Sequence, residues 1–459
     1  IMADEQLNKG QRNLEIDDLT IVSLDGKTQD LIKFYTEIRV FESLFIPTLT
    51  ADVVIRDPEN IIENLPIVGG ETLHMKLRTS TFPDSPGACI QRSFAVAEIK
   101  NRGLDNDRQQ VYTLKLVSPE MLNDASATIT KAIPGPGADT NTEAIAQQIF
   151  NDHIVKEGRY LPDEDENELS IAGSPHTSSI QYISNNWSAF ENMNYICKRI
   201  QATDVQGSDY FFFESNKNYY LTSLQHLIIA GRDAYFEEYT YKPGSLPTKG
   251  REEGNYIGLS VPDYFNRIET MSIPRTISII EGNLSGAYAS NIQAYDMFNK
   301  KFKHFHLDVI QDAGLYERTD VNPPIPRGIP RNVTAYTSVK LLNSYTWNSA
   351  EQSQGINDDA LQTHYTSDAV RKQYINSFND YQFLIEVPGR TDIEVGVSIN
   401  LKYPKPTAKS SGDTYVEDKV LSGQYVVTEI KHKINPAEYG MTLRITKNGV
   451  GKDLGGSDE

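Results

Sequence analysis

The chain has 459 residues, with 44 Lys plus Arg against 62 Asp plus Glu and a formal net charge of −18. That acidity excludes a conventional nucleic-acid binder, whose affinity comes from neutralising phosphates, but not a surface that nucleic acid slides past. A hydrophobic content of 39% with 10% aromatics suffices for packed cores over roughly two to four domains, and no apolar run or N-terminal layout reads as a membrane span or signal peptide.

Residues 1–13 are polar and predict a flexible N-terminus, with Ile1 ahead of Met2 reading as a processing remnant. From Leu14 the pattern is β. Strands are predicted at Leu19–Leu24, Ile32–Val40 and Leu49–Ile55, with a turn at Asp25-Gly26 and a stop at Asp57-Pro58. A short helix is expected between Glu59 and Leu65. Beyond it Leu73, Met75 and Leu77 alternate with Thr72, His74 and Lys76, the period of a half-buried antiparallel strand. Phe82–Gly87 is a loop, and Arg102–Asp107 turns a hairpin. Residues 14–124 thus read as a first β domain.

A linker at Pro134-Gly135-Pro136-Gly137 opens a middle α/β domain, 125–260. Thr140 with Glu143, and Ser188 with Glu191, have the spacing of capping boxes. Phe190, Met193, Ile196, Cys197 and Ile200 follow helical spacing, and Asp209–Glu214 with Tyr219–Leu221 reads as a strand pair turned at Asn216–Asn218. A second β domain is predicted over 261–310 and 369–450, with a short helix at Ala369–Phe378. Between its parts, 311–368 has a loop-like composition and reads as an irregular insertion that packs on a neighbour or another chain. Residues 451–459 read as a flexible tail.

The two β domains repeat each other. Gly70–Leu77 is followed by Ala97-Glu98-Ile99-Lys100 and then by Thr113-Leu114-Lys115-Leu116. Gly396–Tyr403 is followed by Thr428-Glu429-Ile430-Lys431 and then by Thr442-Leu443-Arg444-Ile445. Alternation alone would match polarity, but not these residue strings in one order, so the chain reads as internally duplicated. Glu98 and Glu429 then occupy equivalent positions. The fold class is α+β and β-dominated: two similar antiparallel, β-barrel-like domains flanking an α/β middle domain, plus the insertion.

No chemistry stands out. Cys89 and Cys197 fall in different elements, which makes a disulfide or zinc site improbable, and Cys197 reads as a small core residue. His304 and His306 share one face of a strand and lack the further ligands a metal needs. No phosphate loop or nucleophile elbow is present. No catalytic, cofactor-binding or metal residue is singled out, no cofactor is expected, and the chain does not read as an enzyme.

Four stretches carry a resemblance: Asp57-Pro58 with Leu65–Glu71, Ser188-Ala189-Phe190-Glu191, Phe211–Glu214 with Tyr220–Leu224, and Val387–Gly396. In this order they resemble the baseplate hub protein of contractile-tailed bacteriophages, and more distantly the N-terminal part of type VI secretion spike proteins, over most of residues 15–450. The resemblance implies a homotrimeric torus with two tube-type domains per subunit. Its pseudo-sixfold ring would join a sixfold tail tube to a threefold central spike in the virion baseplate and let DNA pass. Implied partners are the chain itself, the spike and tail tube proteins, and tape-measure and baseplate wedge proteins, with assembly in the host cytoplasm. The stretch after Ile445 is too short for a spike fold, so a separate spike polypeptide is expected. On this reading Glu98 and Glu429 face the lumen or one shared rim; the alternative is that they are ordinary residues on the solvent faces of their strands. Two readings from other classes are a tail-associated glycan hydrolase working through the middle domain and a glycan-binding adhesin using Trp347.

Overall fold

The computed structural model describes residues 14–81, 88–106, 108–139, 141–155, 169–173, 179–198, 200, 205, 209–241, 265–296, 300–308, 317–323, 337–342, 347–348, 371–378, 380–405 and 417–452. The expected flexible ends at 1–13 and from 453, the loop Phe82–Gly87, Thr140 and most of 311–368 lie outside them.

The first β unit comprises β1 (Leu14–Val22), β2 (Thr28–Asp30), β3 (Tyr35–Ser43), β4 (Thr50–Asp57), helix α1 (Ile61–Asn64), β5 (Thr72–Thr79), β6 (Cys89–Asn106) and β7 (Gln109–Val117). The middle unit follows with α2 (Pro119–Ser126), β8 (Ala132–Ile133), α3 (Thr142–Ile149), β9 (Leu169–Ile171), β10 (Ser179–Ile180), β11 (Tyr182–Ile183), α4 (Ala189–Cys197), β12 (Tyr210–Glu214) and β13 (Tyr219–Ser223). Next come α5 (Leu224–Asp233), β14 (Glu237–Thr240), β15 (Thr270–Arg275), α6 (Ile279–Ser285), β16 (Ala289–Asp296), β17 (Lys301–Asp308), β18 (Thr337–Leu342) and β19 (Trp347–Asn348). The chain closes with β20 (Tyr381–Pro388), β21 (Ser398–Lys402), β22 (Gly423–Ile434) and β23 (Tyr439–Lys447).

The molecule is β-dominated, and thirteen strands lie in one sheet. Its main path runs β15-β20-β23-β22-β3-β4-β7-β6-β5-β1-β2, with β21 on β22 and β14 on β21. The sheet contains the same five-strand order twice: β3-β4-β7-β6-β5, and β15-β20-β23-β22 with β21 branching from β22. The join between them is β22 against β3, antiparallel from Glu429↔Ser43 to Ile434↔Ile38. The two copies therefore share a sheet.

The match extends to register. Leu73 pairs with Phe94 and Ile399 with Tyr425. Val96 pairs with Leu116 and Glu98 with Lys115, the register slipping between them; Val427 pairs with Ile445 and Glu429 with Arg444, with the same slip. Each slip is a β-bulge whose extra residue, Ala97 or Thr428, is skipped in the ladder register. The copies differ outside this frame, where β1 lies antiparallel on β5 but β14 lies parallel on β21.

One apolar core underlies both copies and includes Ile38, Val53, Leu114, Ile385, Ile430 and Leu443, all buried. Burying each such side chain stabilises the fold by about 1.5–3 kcal/mol. A second core, from Ile129 to Leu221, belongs to the middle unit and centres on Phe150, Met193, Phe212 and Tyr219. Ser188 caps α4 as expected: its hydroxyl accepts from the Glu191 N–H at 3.2 Å and the Glu191 carboxylate accepts from the Ser188 N–H at 3.0 Å. At α3 the cap is Asn141, which accepts from the Glu143 N–H at 3.1 Å.

Two segments depart from the sequence reading. Leu224 and Ile228 of α5, and Tyr239 of β14, pack in the core of the two copies, away from the core of the middle unit. Within the stretch read as irregular, Thr337–Leu342 forms β18, which lies parallel on β16 in a three-stranded sheet with β17. Trp347 lies on β19, paired with Ile180 of β10; its side chain is outside the described residues.

Candidate functional site

The repeated strands put their apolar residues on one side, so the alternate residues make a continuous polar face. In the first copy this face carries Arg39, Asp52, Lys115, Glu98 and Lys100; in the second it carries Glu386, Arg444, Glu429, Lys431 and Lys433. Lys115 Nζ lies 2.6 Å from Asp52, Lys100 Nζ lies 2.9 Å from Glu98, and Arg444 lies 3.1 Å from Glu429. Lys431 sits 5.9 Å from the centre of the Phe41 ring, across the β22–β3 join.

Glu98 and Glu429 thus lie in equivalent places, on one face, each opposite a cation in the ladder register, Lys115 or Arg444; Glu429 pairs with Arg444 directly, whereas Glu98 pairs with Lys100 on its own strand and Lys115 turns to Asp52. The sequence reading found the two glutamates but missed Lys115 and Arg444. The signal was present, because these cations fill the same slot of the matched strands Thr113–Leu116 and Thr442–Ile445. The face is a mixed-charge surface in an acidic protein. The Lys100–Glu98 and Arg444–Glu429 pairs, both partly exposed, add at most about 1 kcal/mol each to stability, whereas Asp52 is buried. Their consequence is a wall on which charges of both signs interleave, three cations to two anions in each copy.

The turn between β12 and β13 wedges under this sheet. Asn216 Nδ2 donates to the carbonyls of Thr391 (3.3 Å) and Ile393 (3.1 Å), and its backbone N–H donates to Glu42 at 3.3 Å. Glu42 is fully buried on β3 and lies 3.5 Å from the imidazole of His432 on β22. Glu214, buried at the end of β12, accepts from the Leu49 N–H at 2.9 Å and from the Ser118 hydroxyl at 2.5 Å. Arg390 makes two bonds of 2.7 Å to Asp392, and its guanidinium lies 4.6 Å from the centre of the Phe236 ring. Glu71 accepts from the N–H groups of Val68 (2.8 Å) and Gly69 (2.9 Å). The charged residues of the motifs therefore satisfy backbone groups and tie elements together.

His304 and His306 are exposed on β17, opposite Gln293 and Asn291. Among the described residues no three His, Cys, Asp or Glu side chains gather in a way that would hold a metal. Cys89 and Cys197 are free and buried, and burial pushes the Cys197 thiol up to about 12. Among the described residues no helix is long and apolar enough to cross a membrane.

The duplicated sheet with a middle unit inserted between its halves has counterparts among solved structures. A tail protein from Neisseria meningitidis MC58 matches 94% of this chain and 97% of its own length at a TM-score of 0.51 and 8% identity. The 43 kDa tail protein of prophage MuSo2 from Shewanella oneidensis matches 93% of this chain and 97% of its own length at 0.52 and 7% identity. The chain has a phage tail-protein fold. A type VI secretion system component from E. coli covers 96% of this chain and 79% of its own length at 9% identity, with a TM-score of 0.42, too low to establish a common fold. No protein-family model and no curated protein matches the sequence.

Proposed function

We propose that this chain is the structural baseplate hub of a contractile phage tail. Three copies close a ring that joins a sixfold tail tube to a threefold spike. The observation that supports this reading is the five-strand order that occurs twice and continues from one copy to the other through β22 and β3. A chain with two near-equivalent units needs three copies to make six positions, which reconciles threefold with sixfold symmetry. The polar face of the sheet lines the lumen, where Glu98 and Glu429 with their cations form a quasi-sixfold set. DNA passes along a wall of interleaved positive and negative charge. The middle unit braces the ring from outside the lumen, and tape-measure and wedge proteins meet the remaining surfaces in the virion.

Light scattering on the purified protein, alone and with tail tube and spike proteins, tests this. A trimer in either setting is the expected result, with six-lobed rings in electron micrographs. A monomer that stays monomeric with every tail partner overturns the reading.

A further inference from the structure

The β22–β3 join defines what an open edge looks like elsewhere in the chain. β22 is long enough to hold two neighbours on one edge. Residues 423–426 pair with β21, and beyond the bulge residues 429–434 receive β3. β6 is built the same way. Residues 89–95 pair with β5, and beyond its bulge the same edge, from Glu98 on, holds no strand among the described residues. Ile430 of β22 is 1% exposed beneath this arrangement, while its counterpart Ile99 is only partly buried, and Leu104 further along β6 is 81% exposed.

The missing occupant has a counterpart too. β3 lies on β4 through Glu37↔Val54, Ile38↔Val53 and Arg39↔Asp52. β15 lies on β20 through Thr270↔Glu386, Met271↔Ile385 and Ser272↔Leu384, the same positions of the repeat. β15 is therefore the second copy's β3. It ends the sheet, and among the described residues nothing pairs with its outer edge. Ile273 on it is 43% exposed. Pro274, which has no N–H to give a ladder, falls in the register shift between Ser272 and Arg275, where a strand tolerates it.

We propose that β15 of one copy adds to residues 98–103 of β6 in the next copy, antiparallel, as β3 adds to β22 within the chain. This rests on the ring reading above and names the interface that closes it. Among the described residues, β6 offers a vacant acceptor edge and β15 a vacant donor edge, and they are the counterparts of a pair already joined. Repetition of that join is head-to-tail and closes when the rotation matches that between the two copies. It pairs two edges that are otherwise open to aggregation and covers Ile99 and Ile273.

The register of β3 on β22 places Lys100 opposite Arg275. The full-length double variant Lys100→Cys with Arg275→Cys, oxidised in the assembled state, is expected to give covalent dimer and trimer on a non-reducing gel. Either single variant is expected to give neither. Ile273→Glu is expected to weaken self-association about tenfold or more, because it buries a charge at the new contact. Its starting exposure leaves the monomer's melting temperature unchanged. A trimer by light scattering that gives no covalent species when Lys100→Cys is combined with Ser272→Cys, Ile273→Cys or Arg275→Cys overturns the interface while leaving the ring intact. A protein monomeric with all tail partners overturns both.

Discussion

Gly70 and Gly396 hold the same backbone conformation at the same place in the two copies, with φ of +92° and +94°. Each donates its N–H to the carbonyl ahead of a bulge, Gly70 to Val96 and Gly396 to Val427, both at 2.8 Å. A side chain at φ near +90° is strained wherever it points. A Cβ at either site would meet nothing nearer than 3.5 Å, so the cost is purely one of backbone. Gly70→Ala and Gly396→Ala are each expected to destabilise the fold by about 1–3 kcal/mol. Urea unfolding midpoints check this, and equal losses in the two variants would show that the repeated positions are energetically equivalent.

Removing Glu42 tests the join itself. Its carboxylate is fully buried, accepts from the Asn216 N–H and the Val395 N–H, and lies 3.5 Å from His432, reaching the middle unit, the loop before β21 and β22 at once. Glu42→Ala leaves the buried Asn216 and Val395 N–H groups without this acceptor and is expected to cost about 1–3 kcal/mol for each. Hydrogen exchange is expected to lose protection in β3 and β22 together. Loss confined to one strand would mean the two copies are not cooperative.

Lys447 gives the fold a pH dependence of known sign. Burial lowers its folded value to about 8, against about 10.4 for an ordinary lysine. Between these values the unfolded chain binds more protons, so stability rises with pH across that window. Below pH 8 lysine is charged in both states and the folded protein carries the whole desolvation cost, about 3 kcal/mol. Lys447→Met is expected to flatten stability between pH 8 and 10, as read by denaturation at fixed temperature. Tyr381 beside it is pushed up to about 12 by burial and titrates above that window.

The two thiols are expected to be inert in the folded protein. Cys89 and Cys197 are buried, and the Cys197 thiol is held far from its reactive form. Reaction with a chromogenic disulfide reagent should wait for denaturant and then release two equivalents together. Prompt reaction of either would place it at an opening in the fold.

Much of the repeated sheet was legible because two signals agreed. Period-two alternation marked strands such as Thr72–Thr79, and Gly70 and Gly396 marked where each began. The bulges were not read, although in Val96-Ala97-Glu98 and Val427-Thr428-Glu429 the ladder slips by one. What escaped had little local signal. β14 is four residues long and takes its place only because β21 offers an edge for parallel pairing. β18 sits in a Pro-rich neighbourhood and is a strand because β16 pairs with it. The glutamates at 98 and 429 were found by matching strings, whereas their cationic partners required knowing which residues face one another across the ladder.

The β22–β3 join forms inside one chain, so its local concentration is set by the connecting polypeptide and not by how much protein is present. In the ring proposed above, every second seam is of this kind. Assembly from these chains then follows about the third power of free protein, where unlinked single units would follow about the sixth. Dilution early in an infection therefore penalises the duplicated chain far less. Half of the ring's closures become steps of folding, completed before any two molecules meet.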